Sequence, residues 1–161
     1  MSQRLGAPVH FTWFWRIDPQ VTFTYGTADW ALRTYARPYL ISGRMLRDPD
    51  IRDRKAEHVR MWRDPKDSRR VYDLPSVDVP LVLESTWESG GKVAYVFANW
   101  QTITETVVFA PRGYGGKTAG HGLAVYSDEG RRSIQDHGEL PKELSIEVPP
   151  LSAMLVEQTP L

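Results

Sequence analysis

The chain has 161 residues, 41% hydrophobic and 25% charged, with Lys and Arg balancing Asp and Glu at a net charge of zero. That length suffices for one domain with a real core, and the zero balance excludes a general attraction to nucleic acid or to an anionic membrane. The absence of cysteine excludes disulfides, thiolate nucleophiles and cysteine-based zinc sites.

Aromatic residues crowd the start of the chain, with 9 of the 18 in residues 8–45. Residues 8–16 predict a strand with Val9, Phe11, Trp13 and Trp15 on one face and His10, Thr12, Phe14 and Arg16 on the other. Asp18-Pro19 ends it, because the residue before proline avoids helical geometry. Residues 21–25 predict a shorter extended segment closed by Gly26. A helix follows, capped by Thr27 or Asp29. Leu32, Tyr35, Ala36, Tyr39, Leu40 and Gly43 fall on one of its faces. Pro38 predicts a kink or split, and Gly43 a C-terminal stop. A lone strand and helix cannot cover so much aromatic surface. They pack on the rest of the chain or on a body outside it, and the second case predicts an exposed patch around Trp13, Trp15, Trp30 and Tyr39.

Ten of the 20 Lys and Arg residues lie in residues 44–73. Residues 47–79 read as a charged, proline-bearing linker with one or two edge strands, Val59 and Met61 alternating with charged neighbours. The interleaved Asp48, Asp50, Asp53, Asp64 and Asp67 would repel phosphate. From Pro80 the pattern is β. Strands are predicted at 81–88, 92–99, 102–109, 122–127, 131–135, 143–148 and 152–157, with Ser89-Gly90-Gly91 and Asp128-Glu129-Gly130 as turns. Their spacing is that of a small antiparallel sandwich, whose core is expected at Val93, Tyr95, Phe97, Ile146 and Leu155. The expected organisation is therefore mainly β: residues 1–46 a strand and kinked helix, 47–79 the linker, and 80–161 the sandwich.

Chemistry is sparsely signalled. Gly116-Lys117-Thr118 lacks the earlier glycine of a phosphate-binding loop and is followed by a poor helix start, so it reads as a loop. No two of His10, His58, His121 and His137 have metal-ligand spacing, and neither metal nor cofactor is expected. His10 and Arg16 share a strand face, with Asp18 close behind. Glu84, Glu88, Glu105, Asp128 and Glu129 sit on turns or charged strands and read as solvated, so no carboxylate pair for glycoside hydrolysis is visible. Trp87, Trp100 and Tyr114 are candidates for stacking on a sugar, although core packing accounts for such rings as well. No stretch of 18 apolar residues predicts a membrane span. No signal peptide is visible at Met1, which leaves the localisation unknown.

The order of these features resembles the tail of barrel-type glycoside hydrolases near the α-galactosidase and α-amylase type barrels. The resemblance is carried by ALRTYARPYLISGRML (31–46), by Ser85, Trp87, Gly91, Lys92, Val96, Phe97, Asn99 and Trp100, and by the closing strand from Val148 to Val156. It implies that residues 9–45 are the last strand and helix of a (β/α)8 barrel; on the end of such a strand, His10, Arg16 and Asp18 are candidate barrel-mouth substrate contacts. It also implies that the catalytic carboxylates lie on earlier strands outside this sequence. The expected role is then a non-catalytic C-terminal region supporting a barrel, supplied by the same gene or a partner chain. Self-association is the other way to cover the aromatic segment. The alternatives are a free-standing β-sandwich that binds carbohydrate or a protein, and a small enzyme using His10, Arg16 and Asp18.

Overall fold

The computed structural model describes residues 34–39, 41–60, 76–113, 120–127 and 130–160. Residues 34–39 are helical (α1), as are residues 41–42. Among the described residues, eleven strands follow: β1 Arg44–Leu46, β2 Ile51–Arg52, β3 Ala56–Arg60, β4 Ser76–Pro80, β5 Val82–Ser89, β6 Lys92–Asn99, β7 Glu105–Phe109, β8 His121–Ser127, β9 Gly130–Gln135, β10 Leu144–Val148 and β11 Ala153–Pro160. They form a six-stranded sheet in the order β1-β5-β6-β11-β8-β9, a three-stranded sheet β10-β7-β2, and a ribbon β3-β4. The fold is mainly β, and every pairing described is antiparallel.

Period-2 alternation builds the sandwich. Val93, Tyr95 and Phe97 of β6, Val125 of β8, and Met154 and Val156 of β11 project from the six-stranded sheet. They meet Val107 and Phe109 of β7 and Ile146 and Val148 of β10. Tyr95 and Phe97 tilt against Phe109 with ring centroids 5.1 and 4.9 Å away, the separations at which aromatic pairs attract. The strands predicted from residue 81 onward are present as β5 to β11. β7 starts later than the pattern predicts because residues 101–103 bend, with the Asn99 side chain donating to the Ile103 carbonyl at 2.8 Å. Ser89 pairs with Lys92 around Gly90 and Gly91, whose φ values of 58° and 78° make the two-residue hairpin turn that glycine permits.

Leu155 corrects one core expectation. It is expected in the sandwich core with Val93, Tyr95, Phe97 and Ile146, and it is buried, but on β11 it is Met154 and Val156 that face the other sheet. Leu155 points outward, into a second cluster with Ala36, Tyr39, Trp87, Ala94, Val96 and Ala153. β11 is a central strand buried on both faces, so its apolar run is continuous and hides the parity.

Ala36 and Tyr39 of α1 pack on this outward face, at 0% and 2% exposure. The helix keeps its geometry across residues 34–39 through Pro38. It stops where predicted: Gly43 N donates to Tyr39 O at 2.9 Å, and a Cβ on Gly43 would lie 2.2 Å from that oxygen. The charged stretch after α1 is structured where it is described. β2 extends the three-stranded sheet against β7, and β3 pairs with β4.

Candidate functional site

The residues that carry the sequence resemblance form joints of the fold. Trp87 is 9% exposed in the outward cluster, and its Nε1 donates to Ser85 Oγ at 3.0 Å. A sugar platform needs an open ring face, and this ring is packed, so the expectation for Trp87 is corrected to a core role. Asn99 is 1% exposed; its Nδ2, with two N–H groups shared among three acceptors, lies 2.8, 2.9 and 3.0 Å from the carbonyls of Ile103, Val148 and Pro149, and its Oδ1 accepts from Gln101 N at 2.8 Å. It ties the end of β6 to the end of β10. Trp100 is half-buried and donates from Nε1 to Pro80 O at 2.7 Å, which fixes its indole beside the end of the ribbon. His10, Arg16, Asp18, Tyr114 and Gly116 to Thr118 lie outside the described residues.

A polar constellation joins α1 to the sheet. Glu157 of β11 sits on the outward face with its side chain 12% exposed. Its Oε2 accepts from Tyr39 Oη at 2.7 Å. Its Oε1 accepts from Tyr126 Oη at 3.1 Å and from Lys92 Nζ at 3.3 Å. Burial alone would raise this carboxyl, but the bond from Tyr39, the Lys92 charge and its bond, and the Tyr126 hydroxyl outweigh it and hold Glu157 below the ordinary glutamate range. Burial, then the bond to Glu157, pushes the Tyr39 hydroxyl well above the ordinary tyrosine range. Tyr35 tilts against Tyr126 at 4.9 Å, a second contact between helix and sheet. The sequence signal for this junction is a carboxylate directly after the apolar run Ala153–Val156 of β11, at the parity of Leu155.

Glu84 and Glu105 overturn the solvated reading. They are 1% and 4% exposed. Glu84 is the Cα partner of Phe97 and so faces the other sheet, and Glu105 shares the parity of Val107 and Phe109. Adjacent residues neutralise them: Arg54 pairs with Glu84, and Lys55 Nζ stands 3.1 Å from Glu105 Oε2. Buried carboxylates require such partners. Among the described residues no group of His, Asp and Glu could hold a metal ion, and no helix is long and apolar enough to cross a membrane.

No family model matches the chain, and no curated protein does. Among solved structures it is similar to a GH30 endoxylanase from Clostridium papyrosolvens C71, at 14% identity and a TM-score of 0.35 over 52% of this chain and 22% of that one. It is also similar to a glycoside hydrolase family 30 subfamily 8 xylanase from Clostridium acetobutylicum, at 14% identity and a TM-score of 0.37 over 58% of this chain and 26% of that one. A family 44 xyloglucanase from Paenibacillus polymyxa gives 13% identity and a TM-score of 0.36, over 53% of this chain and 18% of that one. The chain thus covers about a quarter or less of the length of these glycoside hydrolases. Likeness at this level assigns neither a site nor an activity.

Proposed function

We propose that this chain is a non-catalytic β-sandwich region of a carbohydrate-active protein, and that the outward face of its six-stranded sheet supports a catalytic barrel. The observation that carries this reading is that the sheet is apolar on both faces. A two-layer sandwich buries one face of each sheet. The second apolar face is already buried within this chain, with α1 packed on it and fastened through Tyr39 and Glu157, and in this proposal α1 is the end of the barrel that the sheet supports. The partner is a barrel of the same polypeptide or of another chain, and a second copy is the other occupant such a face could take. The class of the parent protein, a glycoside hydrolase, comes from the sequence resemblance at Ser85 to Trp100 and Val148 to Val156.

Catalysis stays off the sandwich in this reading. Hydrolysis needs two carboxyls flanking one glycosidic bond, with room between them for the sugar. Glu84 and Glu105 are instead enclosed between the sheets, each held by a cation. The purified chain is expected to show no turnover on a panel of aryl glycosides or on xylan. Turnover that disappears in Asp18→Asn or Glu84→Gln would overturn the proposal. The alternative, a free-standing carbohydrate-binding module, is favoured only by the half-exposed Trp100. Retardation by a polysaccharide gel that Trp100→Ala abolishes would select it.

A further inference from the structure

The outward face also carries a hollow of about 270 Å³ beside Glu157. Its floor is nearly bare of side chains. Gly122 and Ala124 of β8 form it, and they face the same way as their Cα partners on β11, Thr159 and Glu157. β11 makes one wall, with Lys92 of β6 reaching into it, and Gln135 and Asp136 at the end of β9 make the other. β11 and β9 flank β8, so the walls stand two strand spacings apart, roughly 9–10 Å. A Cβ on Gly122 would come 3.1 Å from the Asp136 carbonyl oxygen, so the bare floor and the close wall depend on each other. The β8–β9 register shifts between Leu123 and Ala124, leaving Ile134 as an extra residue. A bulge of this kind re-aims the side chains that follow it. Gln135 is then pinned, its Nε2 donating to the carbonyls of His121 and Glu139 at 3.0 and 3.1 Å.

The charges around the hollow cancel: Lys92 and Arg131 against Glu157 and Asp136. An anion or a cation would gain from one pair and be repelled by the other. A hydroxyl group suits both, since it can donate to a carboxylate while accepting from an ammonium or guanidinium. The nearest ring, Tyr126, has Arg131 over it at 5.9 Å and Tyr35 tilted against it at 4.9 Å. Recognition here is therefore by hydrogen bonds and not by stacking.

We propose that this hollow binds a single sugar ring through its hydroxyl groups. The inference does not depend on the supporting role proposed above, and either can fail without the other. The test is an NMR titration of the full chain, following backbone amides with D-xylose and D-galactose as probes and glycine as a zwitterionic control. Saturable shifts confined to Gly122, Ala124, Gln135 and Asp136 are expected with at least one sugar and none with glycine. Ala124→Leu, which fills the floor, should abolish them. Asp136→Asn, on an exposed residue, should weaken binding about tenfold through loss of a charge-assisted hydrogen bond. No saturable shift with either sugar, tighter binding of glycine, or an affinity unchanged in Asp136→Asn would overturn the proposal, and the Asp136→Asn result decides even if Ala124→Leu does not fold.

Discussion

Replacing Asn99 tests whether this side chain is a joint of the fold. Asn99→Ala removes the two Nδ2 N–H donors, which are shared among the carbonyls of Ile103, Val148 and Pro149, and the acceptor of Gln101 N. Each intramolecular bond is worth about 1 kcal/mol net, and a buried group left without a partner costs about 1–3 kcal/mol. The bond to Val148 O is fully buried, while the other three are only partly so, and there water can replace the lost partner. The expected loss is therefore about 3–4 kcal/mol. Asn99→Asp keeps the shape but turns donors into acceptors, so at neutral pH a carboxylate faces three carbonyl oxygens. The folded state then favours the protonated acid, and the new carboxyl's pKa rises above its unfolded value of about 3.9. The damage should be greatest at neutral pH and shrink as pH falls through that raised value. Urea denaturation of both variants at two pH values reads this. A loss below about 1 kcal/mol for Asn99→Ala, or no pH dependence for Asn99→Asp, would refute the reasoning.

Phe97→Ala, at the centre of the sandwich and 0% exposed, should cost about 3–5 kcal/mol, measured by the same denaturation. Arg54→Met leaves the buried Glu84 without that cation. It should cost about 2 kcal/mol or more, less than a fully buried pair because Arg54 is 43% exposed. Glu157, held below the ordinary glutamate range, contributes stability that is present above the unfolded glutamate value of about 4.3 and is lost as pH falls through its lower folded value. Acid titration of stability should show that loss in the parent chain and not in Glu157→Gln.

The sandwich is legible in the sequence because its signals are local. The Gly90-Gly91 turn and the alternation of Val93, Tyr95 and Phe97 place β5 and β6 without knowledge of any distant residue. Beyond the local pattern the sequence misleads for one reason, which is that the six-stranded sheet is buried on both sides. Glu84 alternates with Leu83 and Ser85 and so resembles a solvent-facing residue. Its partner Arg54 is far away in sequence, and no spacing announces it. Leu155 falls on the unexpected face for the same reason. Trp87 lies next to a turn, as a sugar-stacking residue would, yet it is buried in the outward cluster that includes Ala36 and Tyr39 of α1. The junction at Glu157 draws on α1, β6, β8 and β11, so only the assembled sheet brings it together. His10, Arg16 and Asp18, which the resemblance places at a barrel mouth, lie outside the described residues.

A double-mutant cycle on Tyr39→Phe and Glu157→Gln tests whether the outward face holds the preceding helix. The two groups are joined by a 2.7 Å bond between residues 118 positions apart, and hydrogen bonds to charged groups contribute about 1.5–3 kcal/mol. With part of that offset by water at this half-buried site, a coupling energy of about 1–2 kcal/mol is expected from denaturation of the four proteins. Additive effects, with a coupling indistinguishable from zero, would mean that α1 is not fastened to the sheet and that the outward face is not the supporting surface proposed here.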